Sequence, residues 1–183
     1  MNGLILVGGR STRMGTDKSQ LVYHEKPQWQ YLCDLLVPFC PKTFFSCRAE
    51  QTLHFPPEKL LIDHYVIGPL GGILSAFDKC PDEAWLVVAC DMPSVNEQTI
   101  DFLYRNRDVS KSATAFQNPQ THLPEPLLTV WEPASYPLLS EARKKGQRSP
   151  LRVLQNANVN LLECPHPEWL TNVNTAEDIT KFF

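Results

Sequence analysis

The residues best suited to chemistry lie together near the start of the chain, in Leu6-Val7-Gly8-Gly9-Arg10-Ser11-Thr12-Arg13-Met14-Gly15-Thr16-Asp17-Lys18. Two adjacent glycines directly after an apolar run let the backbone approach a ligand closely and turn several N–H groups into one concavity, which suits an anion. Arg10, Arg13 and Lys18 add three cations over a short span. A triphosphate needs such charge before another phosphate can attack it. Arginine can fork onto two oxygens, and lysine supplies a point charge. Two familiar phosphate motifs are excluded. Thr16 and Asp17 separate Gly15 from Lys18, so the G-K-[ST] adjacency of the Walker loop is missing, and no G-x-G-x-x-G is present. The competing reading is a solvated basic loop that happens to carry glycines.

A second segment, Cys90-Asp91-Met92-Pro93, puts one carboxylate at the end of a buried apolar run. Such a group packs poorly and is well placed to hold a hard cation; magnesium is usually bound by one or two carboxylates together with substrate phosphates. Taken alone, Asp91 would more often be a turn residue or helix cap, and its pairing with the glycine loop favours the metal. A third segment, Gly68-Pro69-Leu70-Gly71-Gly72, reads either as a tight turn or as backbone against which a flat base can lie.

These segments need elements to hold them. Short apolar runs at 3–7, 43–47, 59–62, 84–90, 113–116, 127–131 and 159–162 read as strands. Between them, helices are expected from Pro27, over 73–79, 96–107 and 133–145 with Gly146 as its stop, and over 149–155. Gln117 to Pro126 reads as a loop, and Thr175 as the N-cap of a closing helix with Asp178 in its first turn. This alternation predicts an α/β fold, one domain over residues 1–183 with a mainly parallel sheet. Ligands of such sheets bind beyond the carboxyl ends of the strands. The turns carrying Gly8 and Asp91 should therefore share one rim.

Composition narrows the partners. Seventeen basic against twenty acidic residues give a net charge of −3, which supports neither general nucleic-acid binding nor a membrane surface. No apolar run approaches a membrane span or a signal segment, so a cytoplasmic protein is expected. The six cysteines form no C-x-x-C pair and read as small core residues, and the four tryptophans read as core or near-core.

Taken together, the motifs resemble the molybdenum cofactor guanylyltransferase family, within the Rossmann-like nucleotidyltransferases. The family pattern L-A-G-G-x-S-x-R-M-G-x-D-K is met from Leu6 to Lys18 at every specified position but one, where Val7 replaces alanine. G-P-L-x-G is met by Gly68 to Gly72, C-D-x-P by Cys90 to Pro93, and N-x-N-T-x-E-D by Asn172 to Asp178. The resemblance implies a Rossmann-like three-layer sandwich of the nucleotide-diphospho-sugar transferase type. It also implies an activity: transfer of GMP from GTP to the terminal phosphate of molybdopterin, with Mg2+ as cofactor and transient contact with other cofactor-biosynthesis or acceptor proteins.

By position, Leu6, Gly8 and Gly9 would line the nucleotide site, with Val7 beside the base. Arg13 and Lys18 would stabilise the triphosphate, Asp63 would lie near the nucleoside, and Gly71 with Gly72 favours a purine. Asp91 would hold the metal, with Asn174 close to it or to the substrate phosphates, and Asn172 would stand on the acceptor side. His122 reads either as an acceptor contact or as a solvated loop histidine. Arg148 reads either as a grip on the pterin phosphate or as part of a surface loop. A relative using CTP, or another acceptor such as a sugar phosphate, is the nearest enzymatic alternative. A non-catalytic nucleotide-binding protein is the alternative outside enzymes.

Overall fold

The computed structural model describes residues 1–8, 18–175 and 177–178. Strands β1 (Asn2–Leu6), β2 (Thr43–Cys47), β3 (Leu60–Ile62), β4 (Trp85–Ala89), β5 (Ala113–Gln117), β6 (Pro124–Trp131) and β7 (Val159–Glu163) join one sheet in the order β3-β2-β1-β4-β6-β5-β7. Only β6 runs against the others. Every residue of β1, β2 and β4 is buried, the signature of strands covered on both faces. That explains why they read as unbroken apolar runs rather than as alternation.

Among the described residues, the sheet is covered by α1 (Gln28–Leu36), α2 (Pro69–Lys79), α3 (Glu97–Arg105), α4 (Tyr136–Lys144) and α5 (Pro150–Gln155). α2 packs on α4, where Phe77 stacks on Tyr136 with ring centres 5.5 Å apart. α1 packs on α3 in a separate group. The result is the expected three-layer sandwich. No helix among the described residues is long and apolar enough to cross a membrane. Trp85 and Trp131 face each other across β4 and β6, both fully buried. Trp169 is buried, and Trp29 packs edge-on against Phe45 and Phe55. Five of the six cysteines are buried; burial pushes the Cys40 thiol up to about 12, so it behaves as an apolar residue.

Three boundaries differ from expectation, each for a physical reason. α2 begins at Pro69 rather than Ile73, so the glycine segment is its first turn. Proline at the first helical position has no N–H to lose, and the glycines are kept by close packing, discussed below. The loop after β5 shrinks because β6 starts at Pro124. The prolines are tolerated there because β6 overhangs β4, whose pairing ends at Val88↔Leu128. The helix expected from Pro133 opens as a 3-10 turn over Pro133–Ser135. Gly146 does terminate α4, at φ +77°. At the far end, the Asp178 carboxylate accepts from the amides of Asn174 and Thr175, and the Thr175 hydroxyl accepts from the Asp178 amide. These reciprocal bonds form the predicted cap; the rest of that helix lies outside the described residues.

Candidate active site

The chain leaves β1 toward β2 and β3 on one side, then returns to lay β4 on the other. The β1/β4 boundary is therefore the switch point at which ligands enter such sheets. At its carboxyl end the Cys90 amide donates to the Leu6 carbonyl (3.2 Å), which sets Asp91 beside Val7 and Gly8. Lys18 reaches the same place from beyond the glycine loop. Its Nζ donates to the Val173 carbonyl (2.8 Å) and to Asn174 Oδ1 (2.9 Å), and lies 3.8 Å from Asp91 Oδ2. The Val173 amide donates to the Asp91 carbonyl (2.8 Å). One lysine and one carboxylate are thus clamped by a C-terminal segment far away in sequence.

The electrostatics are poised. Burial raises the Asp91 pKa, opposed by Lys18 and by the residue's own amide. Asp91 Oδ1 and Asn172 Oδ1 are buried without a hydrogen-bond partner among the described residues. Such atoms are costly in an empty interior and ready for a ligand. The Tyr23 phenol is pushed up to about 12, chiefly by burial and further by Cys90 and Asp91. It therefore stays protonated next to the carboxylate. Glu125, 8% exposed, also sits high, mainly through burial, with Asp91 adding to the effect. Continuing the β4–β6 register past Val88↔Leu128 brings Glu125 alongside Asp91.

Next to the pair lies a cavity of about 370 Å³, bordered by Leu6 and Gly8, by Ser46, Cys47 and Arg48 after β2, and by Asp63 and Gly72. Asp63 Oδ1 accepts from the amides of Tyr65 (2.8 Å) and Val66 (3.1 Å), which holds its carboxylate against the first turn of α2. Gly71 makes that approach possible. A Cβ there would stand 2.5 Å from Asp63 Oδ1, and one on Gly72 would stand 2.4 Å from Ser46 Oγ. Gly71→Ala is therefore expected to destabilise the fold by about 1–3 kcal/mol, the usual cost of overpacking. Urea unfolding checks this. A gain in stability, as helix propensity alone would give, would show that Asp63 yields freely.

The predicted site residues fall into groups. Lys18, Asp91, Asn172 and Asn174 converge on the rim, while Leu6, Gly8 and Asp63 line the cavity. Gly71 acts through Asp63 and is not itself on the cavity wall. Val7 is buried, with its amide on the Ser46 carbonyl and its carbonyl on Gln51 Nε2, and it does not line the cavity. His122 is exposed at φ +56° in the loop leaving β5, which opens on the same rim. Arg148 is exposed between α4 and α5, and no contact among the described residues ties it to the Asp91–Lys18 pair. Gly9 and Arg13 lie outside the described residues. Arg48 and Glu125 went unread in the sequence. Arg48 directly follows β2 and Glu125 is the second residue of β6, and that position was the only available signal.

Sheet order, switch point and the lysine–carboxylate pair define the class: a Rossmann-like nucleotidyltransferase. The sequence profile of the MobA-like NTP transferase domain matches residues 3–160. The chain belongs to that family. It is similar to a molybdenum cofactor biosynthesis bifunctional protein of Synechocystis, at 34% identity over 96% of the chain, and spans about half (52%) of that protein's length. It is also similar to the molybdenum cofactor guanylyltransferase of Pseudomonas fluorescens, at 30% identity over 95% of the chain and 89% of the relative. In fold it resembles the crystal structure of molybdopterin-guanine dinucleotide biosynthesis protein A from Archaeoglobus fulgidus. That likeness has a TM-score of 0.81 at 24% identity and covers 100% and 96% of the two chains.

Proposed function

We propose that this chain transfers GMP from GTP to the terminal phosphate of molybdopterin and releases pyrophosphate, in the cytoplasm and with magnesium. One observation carries the reading: Lys18 Nζ lies 3.8 Å from the Asp91 carboxylate at the switch point, beside a cavity bordered by Gly8 and Asp63. The names of the relatives, a molybdenum cofactor biosynthesis protein and a molybdenum cofactor guanylyltransferase, support guanylyl transfer to that cofactor.

The residues fit a magnesium ion. Asp91 Oδ1 is buried and takes no hydrogen bond from the described residues. Among the described residues, no three His, Cys, Asp or Glu side chains gather as a metal cage. That suits an ion held by one carboxylate and by substrate phosphates. Asp91 would hold it, with Asn174 alongside. Magnesium there would offset charge on the triphosphate.

The chain needs no nucleophile of its own. An acceptor phosphate oxygen attacks the α-phosphorus of GTP, the bond from that phosphorus to the bridging oxygen breaks, and pyrophosphate leaves. Lys18 supplies positive charge where the transferring group gains negative charge, and Arg13 is assigned the same role in the glycine loop. Leu6, Gly8, Asp63 and Arg48 hold the nucleoside in the cavity. The direct test measures pyrophosphate release and dinucleotide formation with molybdopterin, comparing GTP with CTP, ATP and UTP. Guanine dinucleotide formed only with GTP is the expected result. Preference for CTP overturns the base assignment, and transfer to a sugar phosphate but not to molybdopterin overturns the acceptor.

A further inference from the structure

Past β4 the backbone runs out of sheet. The Cys90 amide makes the last bond to β1; beyond it the Val173 amide holds the Asp91 carbonyl (2.8 Å), and the rest of the turn, residues 92–95, has only long internal contacts, Met92 N to Ala89 O at 3.4 Å and Val95 N to Met92 O at 3.3 Å. Met92, Pro93 and Val95 are all buried, and buried carbonyls without partners are costly. Three side chains from one short segment supply the donors. His24 Nε2 lies 2.8 Å from the Pro93 carbonyl, Tyr31 Oη donates to the Val95 carbonyl at 3.2 Å, and Gln28 Nε2 reaches toward the Met92 carbonyl at 3.5 Å. A carbonyl can only accept, so the His24 Nε2 carries its proton.

This row is itself rigidly built. The His24 and Tyr31 rings stack with centres 4.0 Å apart and planes 23° apart. Val22 bridges to Pro27, the Gln28 amide donates to the Leu21 carbonyl (2.8 Å), and Glu25 turns the chain between them at φ +61°. A non-glycine residue there is uncommon and costs free energy, so the turn is held by what surrounds it. The segment also begins where Lys18 ends its reach. The strand of chain that carries the phosphate-facing lysine therefore continues directly into a clasp on the turn that carries Asp91.

We propose that His24 is a positioning residue for transfer, holding the 92–95 turn so that Asp91 meets the nucleotide phosphates in register with Lys18. Tyr31 is its partner in that role. The inference rests on the reading of Asp91 and Lys18 given above, and it adds a residue that neither motif contains. A misplaced reacting group costs turnover more than ground-state binding, so the effect falls on kcat.

Three variants test it. His24→Phe keeps the ring on Tyr31 and removes the donor, His24→Gln restores an N–H of similar reach, and Tyr31→Phe removes the hydroxyl from Val95. His24→Phe should lower kcat for GMP transfer about tenfold while leaving the KM for GTP within about twofold. It should also raise the magnesium concentration needed for half-maximal turnover. His24→Gln should recover most of kcat, and Tyr31→Phe should show a smaller loss of the same kind. GTP affinity by calorimetry in EDTA should not change, and the Val95 amide should exchange faster in His24→Phe than in the parent protein. Unchanged kcat in His24→Phe overturns the proposal, as does a Gln variant no better than Phe or a loss confined to KM. Should His24→Phe fail to fold, Tyr31→Phe decides on the same readouts. If the parent protein itself transfers no GMP, the functional reading fails, and exchange at the Val95 amide still reports whether His24 holds the turn.

Discussion

Asp91→Asn should lower GMP transfer by roughly two to three orders of magnitude, the scale of removing one preorganised charged partner of a transition state, while making the folded protein more stable at neutral pH. The two effects have one cause. Asp91 is held where burial disfavours its charge, and Lys18 only partly compensates. Because its folded pKa lies above its unfolded value, the carboxylate contributes stability when protonated, and that contribution is lost as pH rises through the folded pKa. The neutral amide avoids the loss. The stability gap between Asp91→Asn and the parent protein should therefore be absent below the ordinary carboxylate range, ~4, and should open toward neutrality. Thermal unfolding across that range, measured without nucleotide, checks the sign. A variant less stable than the parent at pH 7 would mean that the Lys18 attraction outweighs burial. Activity retained with magnesium would remove Asp91 from the site.

Lys18→Met should reduce kcat/KM by roughly a thousandfold, since a charge-assisted contact to the transferring phosphates is lost. Its structural consequence is just as specific. Lys18 ties the Val173 carbonyl and the Asn174 side chain to Asp91, and its own side chain is only 18% exposed. Without it, the Asp91 carboxylate is left partly buried and loses its ion-pair partner among the described residues. A destabilisation of about 1–3 kcal/mol follows for an unsatisfied buried group. Exchange of the Val173 amide, which donates to Asp91, should accelerate. The double variant Lys18→Met with Asp91→Asn should regain stability relative to Lys18→Met, because no uncompensated charge remains. It should not regain activity. A strictly additive double variant would show that the two side chains act independently despite their 3.8 Å separation.

How far the site could be read in advance depended on whether its parts were local. Gly8, Asp63 and Asp91 each follow an apolar strand within two residues, so the shared rim of Gly8 and Asp91 was readable from the runs, while the order of the strands in the sheet was not. Gly71 and Gly72 were legible as glycines and not as packing. Their need for space comes from Asp63 and Ser46 on other elements. Arg48 and Glu125 were missed because nothing in their local sequence separates a rim residue from a surface one. The row from His24 to Tyr31 looked like the entry to a helix, and its donors found their acceptors more than sixty residues away.

By itself the sequence determined the class of chemistry and the layered α/β plan. Hydrophobic periodicity, and the place of each glycine or aspartate just past its own apolar run, are local signals, where short-range sterics and strand–turn alternation act. Only the tertiary structure decided which distant groups share the rim. The Val173 carbonyl that takes Lys18 is 155 residues away in the chain. Such a contact leaves no periodic trace, because it depends on how the sheet and its connections fold back on themselves. Spacing could name the lysine and the carboxylate; only folding could bring the C-terminal segment across to clamp them together.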